Sequence, residues 1–143
     1  MNYSARTLRA RGFTLIELLI AIAVLAIILG IAIPSYSQFV LKSGRADAKN
    51  VLMQSAQTLE RCYTRFSEYN NAGCQISQGD TIMSENDKYQ MTATTITADE
   101  FLLTAAPQGG QTNDSECGSF TLSHTGQKGA AGGTDTAVID KCW

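Results

Sequence analysis

Few side chains in this sequence could do catalytic chemistry, and their spacing argues against it. His124 is the only histidine, and a turn-forming Thr-Gly pair follows it. No serine or cysteine has a spacing from a histidine and an acid that suggests an activated nucleophile. Asp80, Glu85 and Asp87 could offer oxygen ligands to Ca²⁺, but they do not follow the EF-hand pattern, so a solvated loop is the preferred interpretation. We therefore expect no enzymatic activity, no cofactor and no metal site.

The four cysteines, Cys62, Cys74, Cys117 and Cys142, suit disulfides better than a metal. No two of them have CxxC spacing, and only one histidine could join them, so a zinc site has little support. An even number of cysteines on a small domain is typical of proteins that fold in an oxidising compartment such as the periplasm. The count predicts two disulfides and leaves all three possible pairings open.

An apolar segment without any charged side chain runs from Leu18 to Leu41. Its strongly apolar part, Leu18 to Ile33, is shorter than the roughly 20 residues that cross a membrane, but Ser35, Tyr36 and Ser37 at the interface make it just long enough. Arg6, Arg9 and Arg11 precede it, and the positive-inside rule keeps that end in the cytoplasm and places the rest of the chain across the membrane. Without these arginines the formal net charge falls from −2 to −5. An acidic exported part argues against nucleic acid as a general partner.

Three features of this segment do not fit a plain anchor. Glu17 places a carboxylate in an apolar helix, which is costly and by default functional. The basic leader ends at Gly12-Phe13, and no A-x-A-like cleavage site follows the apolar run. Gly30 and Pro34 lie inside the helical pattern, where proline removes a backbone hydrogen bond and kinks or opens the helix.

The stretch RGFTLIELLIAIAVLAIILGIAIPSY resembles the N-terminus of type IV pilins and of the related secretion pseudopilins. The resemblance implies that a prepilin peptidase cuts between Gly12 and Phe13 and N-methylates Phe13. It implies that Glu17 meets the Phe13 amine of a neighbouring subunit, and that an unpaired charge in the dry filament core would select the axial register. It also implies a loss of helix between Gly30 and Pro34 on assembly.

The same resemblance divides the chain into three parts. Residues 1–12 are expected to be a cleaved leader, 13–41 an apolar helix for the membrane or filament core, and 42–143 a globular periplasmic or extracellular domain. The implied location is the inner membrane, as a single-pass protein with a periplasmic C-terminal domain, and then the cell-surface pilus. The implied partners are other major and minor pilins through the N-terminal helix, the prepilin peptidase, the inner-membrane assembly platform and, before assembly, the membrane.

Beyond Pro34 the apolar residues recur at steps of three and four, which extends the predicted helix from about Phe13 to about Phe66. Arg45 and Asp47 are expected to lie mostly off its apolar stripe, together with Lys49, Glu60, Arg61 and Arg65. The stripe itself is expected to contain Ala48, Leu52, Ser55, Leu59, Cys62 and Phe66.

A polar loop is predicted for residues 67–87, because Asn, Gly, Ser and Asp dominate there. Three strand-like runs follow, at 88–97, 100–107 and 117–126, and they predict an antiparallel meander with the helix on one face. The expected fold class is α+β: a long N-terminal helix with an apolar first half, packed on a small antiparallel sheet, as in type IV pilins.

The resemblance extends to the tail. Type IV pilins have a disulfide-bounded C-terminal region, which implies a Cys117–Cys142 bridge, while a Cys62–Cys74 bridge would pin the loop after the helix. CGSFTLSHTGQKGAAGGTDTAVIDKCW, together with QTLERCYTRF, resembles minor pilins of the PilE type.

The expected function is that of a minor pilin that helps to initiate assembly of a type IV pilus or is incorporated into it, with roles in twitching motility, adhesion or DNA uptake. The alternatives are a major pilin and a type II secretion pseudopilin. A DNA receptor would need a basic stripe, which only folding could assemble from residues this dispersed. These are Lys42, Arg45, Lys49, Arg61, Arg65, Lys88, Lys128 and Lys141.

Overall fold

The longest element is a helix, α1, which spans Leu15–Phe66 in the computed structural model, where residues 12–143 are described. The helix expected over 13–66 is therefore confirmed except for its first two residues. The chain divides into two compact units, of which the first ends at Gln38 and the second comprises Phe39–Trp143.

In the first unit, every described residue is exposed, including the apolar ones. The most apolar 18-residue window of α1 has a mean hydropathy of 3.0, and none of it is buried. By length and composition, α1 is the one helix in the described residues that could cross a membrane.

The second unit contains a five-stranded antiparallel sheet with the strand order β1-β2-β3-β4-β5. Each strand therefore pairs with the next in sequence, which makes the sheet a meander. A short C-terminal helix, α2, spans Thr136–Cys142 and packs against β5. The strands are β1 Thr81–Met83, β2 Tyr89–Ile96, β3 Phe101–Pro107, β4 Phe120–Ser123 and β5 Lys128–Ala130.

The core lies where one face of the sheet meets the second half of α1. Alternate residues of β3, beginning with Phe101, are buried, and Leu103 pairs with Leu122 of β4. Period-2 alternation is the pattern of strands with one buried face, so the α+β prediction with an antiparallel sheet is confirmed. The expected helix stripe is buried apart from Phe66, which is half-buried, and Val51 belongs to it as well.

The short elements differ from the sequence-based expectations. The sequence predicts three strands, and residues 12–143 contain five. The two additional strands, β1 and β5, have only three residues each, too few for alternation to identify. The interpretation of 67–87 as loop throughout is therefore wrong at β1. Helix α2 was also missed, as was a 3-10 helix at Gly109–Asn113.

Candidate functional site

The start of α1 contains a side-chain cap. The Glu17 N–H donates to Thr14 Oγ1 at 3.2 Å, so Thr14 satisfies one of the donors that a helix start leaves free. Thr14 and Glu17 have the spacing of a capping box, and a carboxylate in the first turn is also favoured by the helix dipole. The cap uses the backbone N–H of Glu17, so its carboxylate is not needed for that bond.

The Gly12-Phe13 junction is exposed and makes no close packing contacts with the other described residues. Phe13 is 85% exposed, and a Cβ added at Gly12 would meet no heavy atom within 4 Å. Among the described residues, nothing in the packing of the chain therefore demands glycine at this position. Cleavage after Gly12, methylation of Phe13 and docking by Glu17 stay predictions.

Gly30 and Pro34 lie one helical turn apart in an unbroken stretch of α1. Proline cannot donate to the carbonyl four residues earlier, which here belongs to Gly30, so this turn lacks one hydrogen bond. Ser37 Oγ donates to the Pro34 carbonyl at 2.9 Å. The subunit by itself therefore has no helix break here, and the expected break on assembly stays a prediction about the filament.

Two disulfides fix the second unit. Cys62 in α1 is bonded to Cys74, with the Cα atoms 5.5 Å apart, and Cys117 is bonded to Cys142 of α2, with the Cα atoms 5.6 Å apart. These are the two pairings that we expected. The first ties the end of α1 to the loop that follows it, and the second ties α2 to the segment before β4.

Arg45 makes a buried ionic contact, so its expected place away from the buried side of α1 is wrong. Its Nε and Nη2 donate to both carboxylate oxygens of Asp114 at 2.7 and 2.9 Å, and Nη2 also donates to Glu116 at 2.8 Å. Arg45 is only 5% exposed. Burial raises the pKa of Asp114, but hydrogen bonds from Arg45 and the Cys117 N–H outweigh it, and the pKa is lowered overall. Lys141 and Arg45 lower the pKa of Glu116 to about 2.

Asp47, also expected off the buried stripe, is a buried acid of α1. It accepts hydrogen bonds from the Ser84 hydroxyl and from the Asn86 side chain, the latter at 3.0 Å. Burial opposes its ionisation, yet these hydrogen bonds lower its pKa overall. Asp47 therefore anchors the β1–β2 hairpin to α1.

A close approach at Gly44 adds a third polar link. Gln111 Nε2 donates to the Leu41 carbonyl at 2.9 Å and to the Tyr89 hydroxyl at 3.2 Å. A Cβ at Gly44 would lie 2.1 Å from Gln111 Oε1. Gly44 therefore provides the space in which Gln111 reaches the backbone of α1.

Folding brings several dispersed lysines to one place, which we call the basic cleft. It has a volume of about 200 Å³ and is lined by Lys42, Arg45, Lys49, Lys141, Glu116 and Cys142. Lys49 Nζ donates to the main-chain oxygen of Trp143 at 2.5 Å, and Lys128 Nζ lies 5.1 Å from the centroid of the Trp143 ring. Burial lowers the pKa of Lys49, and the positive charges of Arg45 and Lys128 lower it further.

Family models identify both parts of the chain. Residues 7–33 match a model described as the prokaryotic N-terminal methylation motif, and residues 34–121, more than half of the chain, match one described as type IV minor pilin ComP, DNA uptake sequence receptor. The chain belongs to this family of type IV pilins. Its N-terminal match covers the apolar segment that is long enough to cross a membrane.

Individual relatives agree over shorter stretches. The pilin is 36% identical over 75 residues to the type IV major pilin protein PilA of Myxococcus xanthus (50% of this chain, 34% of the relative). It is 46% identical over 41 residues to the fimbrial protein EcpC of Eikenella corrodens (29% of this chain, 27% of the relative). The matches thus span only about a third of the length of these relatives.

Two solved structures are similar as well. The non-core minor pilin PilV of Neisseria meningitidis is 25% identical, with a TM-score of 0.45 and coverage of 66% of this chain and 92% of that one. A type IV pilin from Shewanella oneidensis is 27% identical, with a TM-score of 0.45 and coverage of 72% and 97%. The prediction of a type IV pilin, made from the N-terminal motif, is confirmed by the two family models.

Proposed function

We propose that this pilin is a minor subunit of a type IV pilus, held in the filament by its N-terminal helix. The observation that carries the proposal is the apolar first part of α1, which is exposed along its whole described length and has Glu17 in its first turn. So much apolar surface needs lipid or other apolar helices around it. The family description supports the minor role.

Processing and location follow from the same segment. A prepilin peptidase cuts between Gly12 and Phe13 and methylates Phe13, which explains a glycine that the packing of the described residues does not require. Before assembly the pilin sits in the inner membrane with residues 39–143 in the periplasm, where both disulfides can form. The assembly platform then transfers it into the filament.

Copy number in purified filaments tests the minor role. Pili sheared from cells are digested, and this pilin is quantified by mass spectrometry against the most abundant pilin. A minor subunit is expected at a small fraction of the main one, and deletion of its gene should reduce or alter pili without removing the main subunit from the cell. If this pilin were the bulk of the filament, the major-pilin alternative would replace our proposal.

A second candidate function is DNA binding during uptake, and the basic cleft favours it. The matched family is described as a DNA uptake sequence receptor. We expected DNA binding only if folding clustered the dispersed basic residues, and Lys42, Lys49 and Lys141 do line one cleft. Lys128 lies close by, since both it and Lys49 contact Trp143. Lysines in such a cluster can neutralise backbone phosphates even on a chain of negative net charge.

The salt dependence of DNA binding tests this candidate. Lys42 and Lys128 are the best targets, because neither forms an ion pair among the described residues. Replacing both by glutamine should weaken binding of a short duplex and lower the slope of log K against log salt by about 0.9 for each phosphate that is no longer neutralised. Lys88→Gln, which lies outside the basic cleft, is the matched control. If the double variant and the control behave alike, the basic cleft does not bind the DNA.

A further inference from the structure

A second cleft lies beside the Cys62–Cys74 disulfide and differs from the basic cleft in composition. We call it the arginine cleft. It has a volume of about 350 Å³, and Arg61 and Arg65, one helical turn apart on α1, form one wall. No carboxylate lines it, and within residues 12–143 neither arginine forms a salt bridge.

The walls of the arginine cleft are held in place. The Phe66 ring lies under the Arg65 guanidinium, 5.2 Å from ring centroid to Cζ, which restricts this side chain. Gly73 lets that ring pack closely, since a Cβ at this position would lie 2.7 Å from Phe66 Cζ. Arg61 Nη2 donates to the Thr58 hydroxyl at 3.2 Å, and Gln75 is among the other lining residues.

We propose that the arginine cleft binds the oxyanion of a phosphate group. The guanidinium groups of Arg61 and Arg65 are planar forks that match phosphate oxygens in pairs, and both keep donors free for a ligand. The absence of a lining carboxylate in the described residues leaves the positive potential of the two arginines uncompensated. A free or monoester phosphate and a phosphodiester of DNA both present these oxygens.

The test is an NMR titration of the full-length pilin in detergent micelles, observing the arginine Nε–H signals. Inorganic phosphate is added at constant ionic strength, with chloride as the reference anion. We expect the signals of Arg61 and Arg65 to shift saturably, and the affinity to fall by about tenfold when either arginine is replaced by glutamine. A shift that grows linearly without saturation, or equally with chloride, would overturn the proposal.

A second arm identifies the source of the phosphate. A short DNA duplex without terminal phosphates is added in place of inorganic phosphate. If the duplex shifts the same signals, the ligand is a phosphodiester. If inorganic phosphate shifts them and the duplex does not, the ligand is a free or monoester phosphate. The Lys42→Gln/Lys128→Gln variant should keep the phosphate response, which separates this site from the basic cleft and from the DNA-binding candidate. If that variant lost the response, or if the remaining arginine in each single variant, Arg61→Gln or Arg65→Gln, still bound phosphate with unchanged affinity, the arginine assignment would be wrong.

Discussion

Replacing Arg45 by methionine should remove the buried ion pair between α1 and the loop before β4. Methionine keeps the apolar stem and the helix propensity of arginine but not the charge. The change removes three hydrogen bonds at 2.7–2.9 Å and leaves Asp114, whose side chain is 2% exposed, without its cation. The Cys117 N–H, at 3.3 Å, would still donate to that carboxylate.

The expected cost is about 3–5 kcal/mol, the usual effect of breaking a buried ion pair from one side. Against a typical total of about 5–15 kcal/mol, this is a large share of the stability of a small domain. Most of that cost reflects the stranded carboxylate rather than the attraction itself. An Arg45→Met/Asp114→Leu double variant should therefore recover at least about half of the loss.

Urea unfolding of the full chain in detergent, followed by tryptophan fluorescence, measures this directly. Trp143 is the only tryptophan, and its ring packs edge-on against Phe120 with centroids 5.7 Å apart, so it reports on the tail. Arg61→Met, at an exposed position of the same helix, is the control and should change stability by less than about 0.5 kcal/mol. The reasoning is refuted if Arg45→Met lowers the free energy of unfolding by no more than this control does, while the slope of that free energy against urea concentration is unchanged.

Four further predictions concern processing, assembly, acid stability and the tail. Gly12→Val should block cleavage of the leader, because a branched side chain crowds the peptidase site. The uncleaved precursor should accumulate. If N-terminal sequencing found normal protein that begins at Phe13, this prediction would be contradicted. Glu17→Ala should still be cleaved and folded but should be depleted from sheared filaments, unlike the exposed-carboxylate control Glu85→Ala; normal incorporation would remove Glu17 as a docking group. Because the pKa of Asp114 is lowered in the folded state, its ionisation stabilises the fold at pH values above its unfolded-state pKa of about 3.9. This stabilisation is lost as the pH falls through the folded-state pKa. Asp114→Asn should therefore make the free energy of unfolding less dependent on pH in the acid range. Cys117→Ser/Cys142→Ser should lose about 3 kcal/mol in urea unfolding, and a loss near zero would show that the tail is held without its disulfide.

The sequence carried the information for the long elements. Repeats at three and four residues identified α1, and alternation identified β2, β3 and β4 through pairs such as Phe120 and Leu122. The N-terminal motif specified the family, because Gly12, Phe13 and Glu17 stand in a fixed order before an apolar run. These features are local in sequence, so no knowledge of tertiary structure was needed.

The polar contacts could not be predicted in the same way. Arg45 and Asp47 lie on a helix face that periodicity assigns to solvent, and their partners are 69 and 37 residues away. Only the fold brings Asp114 and Ser84 to them. The basic cleft could not be predicted for the same reason, since its lysines come from α1 and α2, at opposite ends of the chain. One weak indication of these buried contacts was present in the sequence. In GRADA, at the start of the amphipathic part of α1, charged residues alternate with small ones.

The two edges of the sheet decide how easily another chain could add a strand to it and start an aggregate. Along one edge, Ala130 of β5 pairs with Gly133, and α2 packs on the strand, so its backbone groups offer little to another chain. The other edge, β1, is only three residues long. Short or covered edges disfavour strand-to-strand addition and the aggregates that follow from it. In the proposed filament, a sheet without a long free edge leaves the packing of the apolar helix as the favoured route of growth.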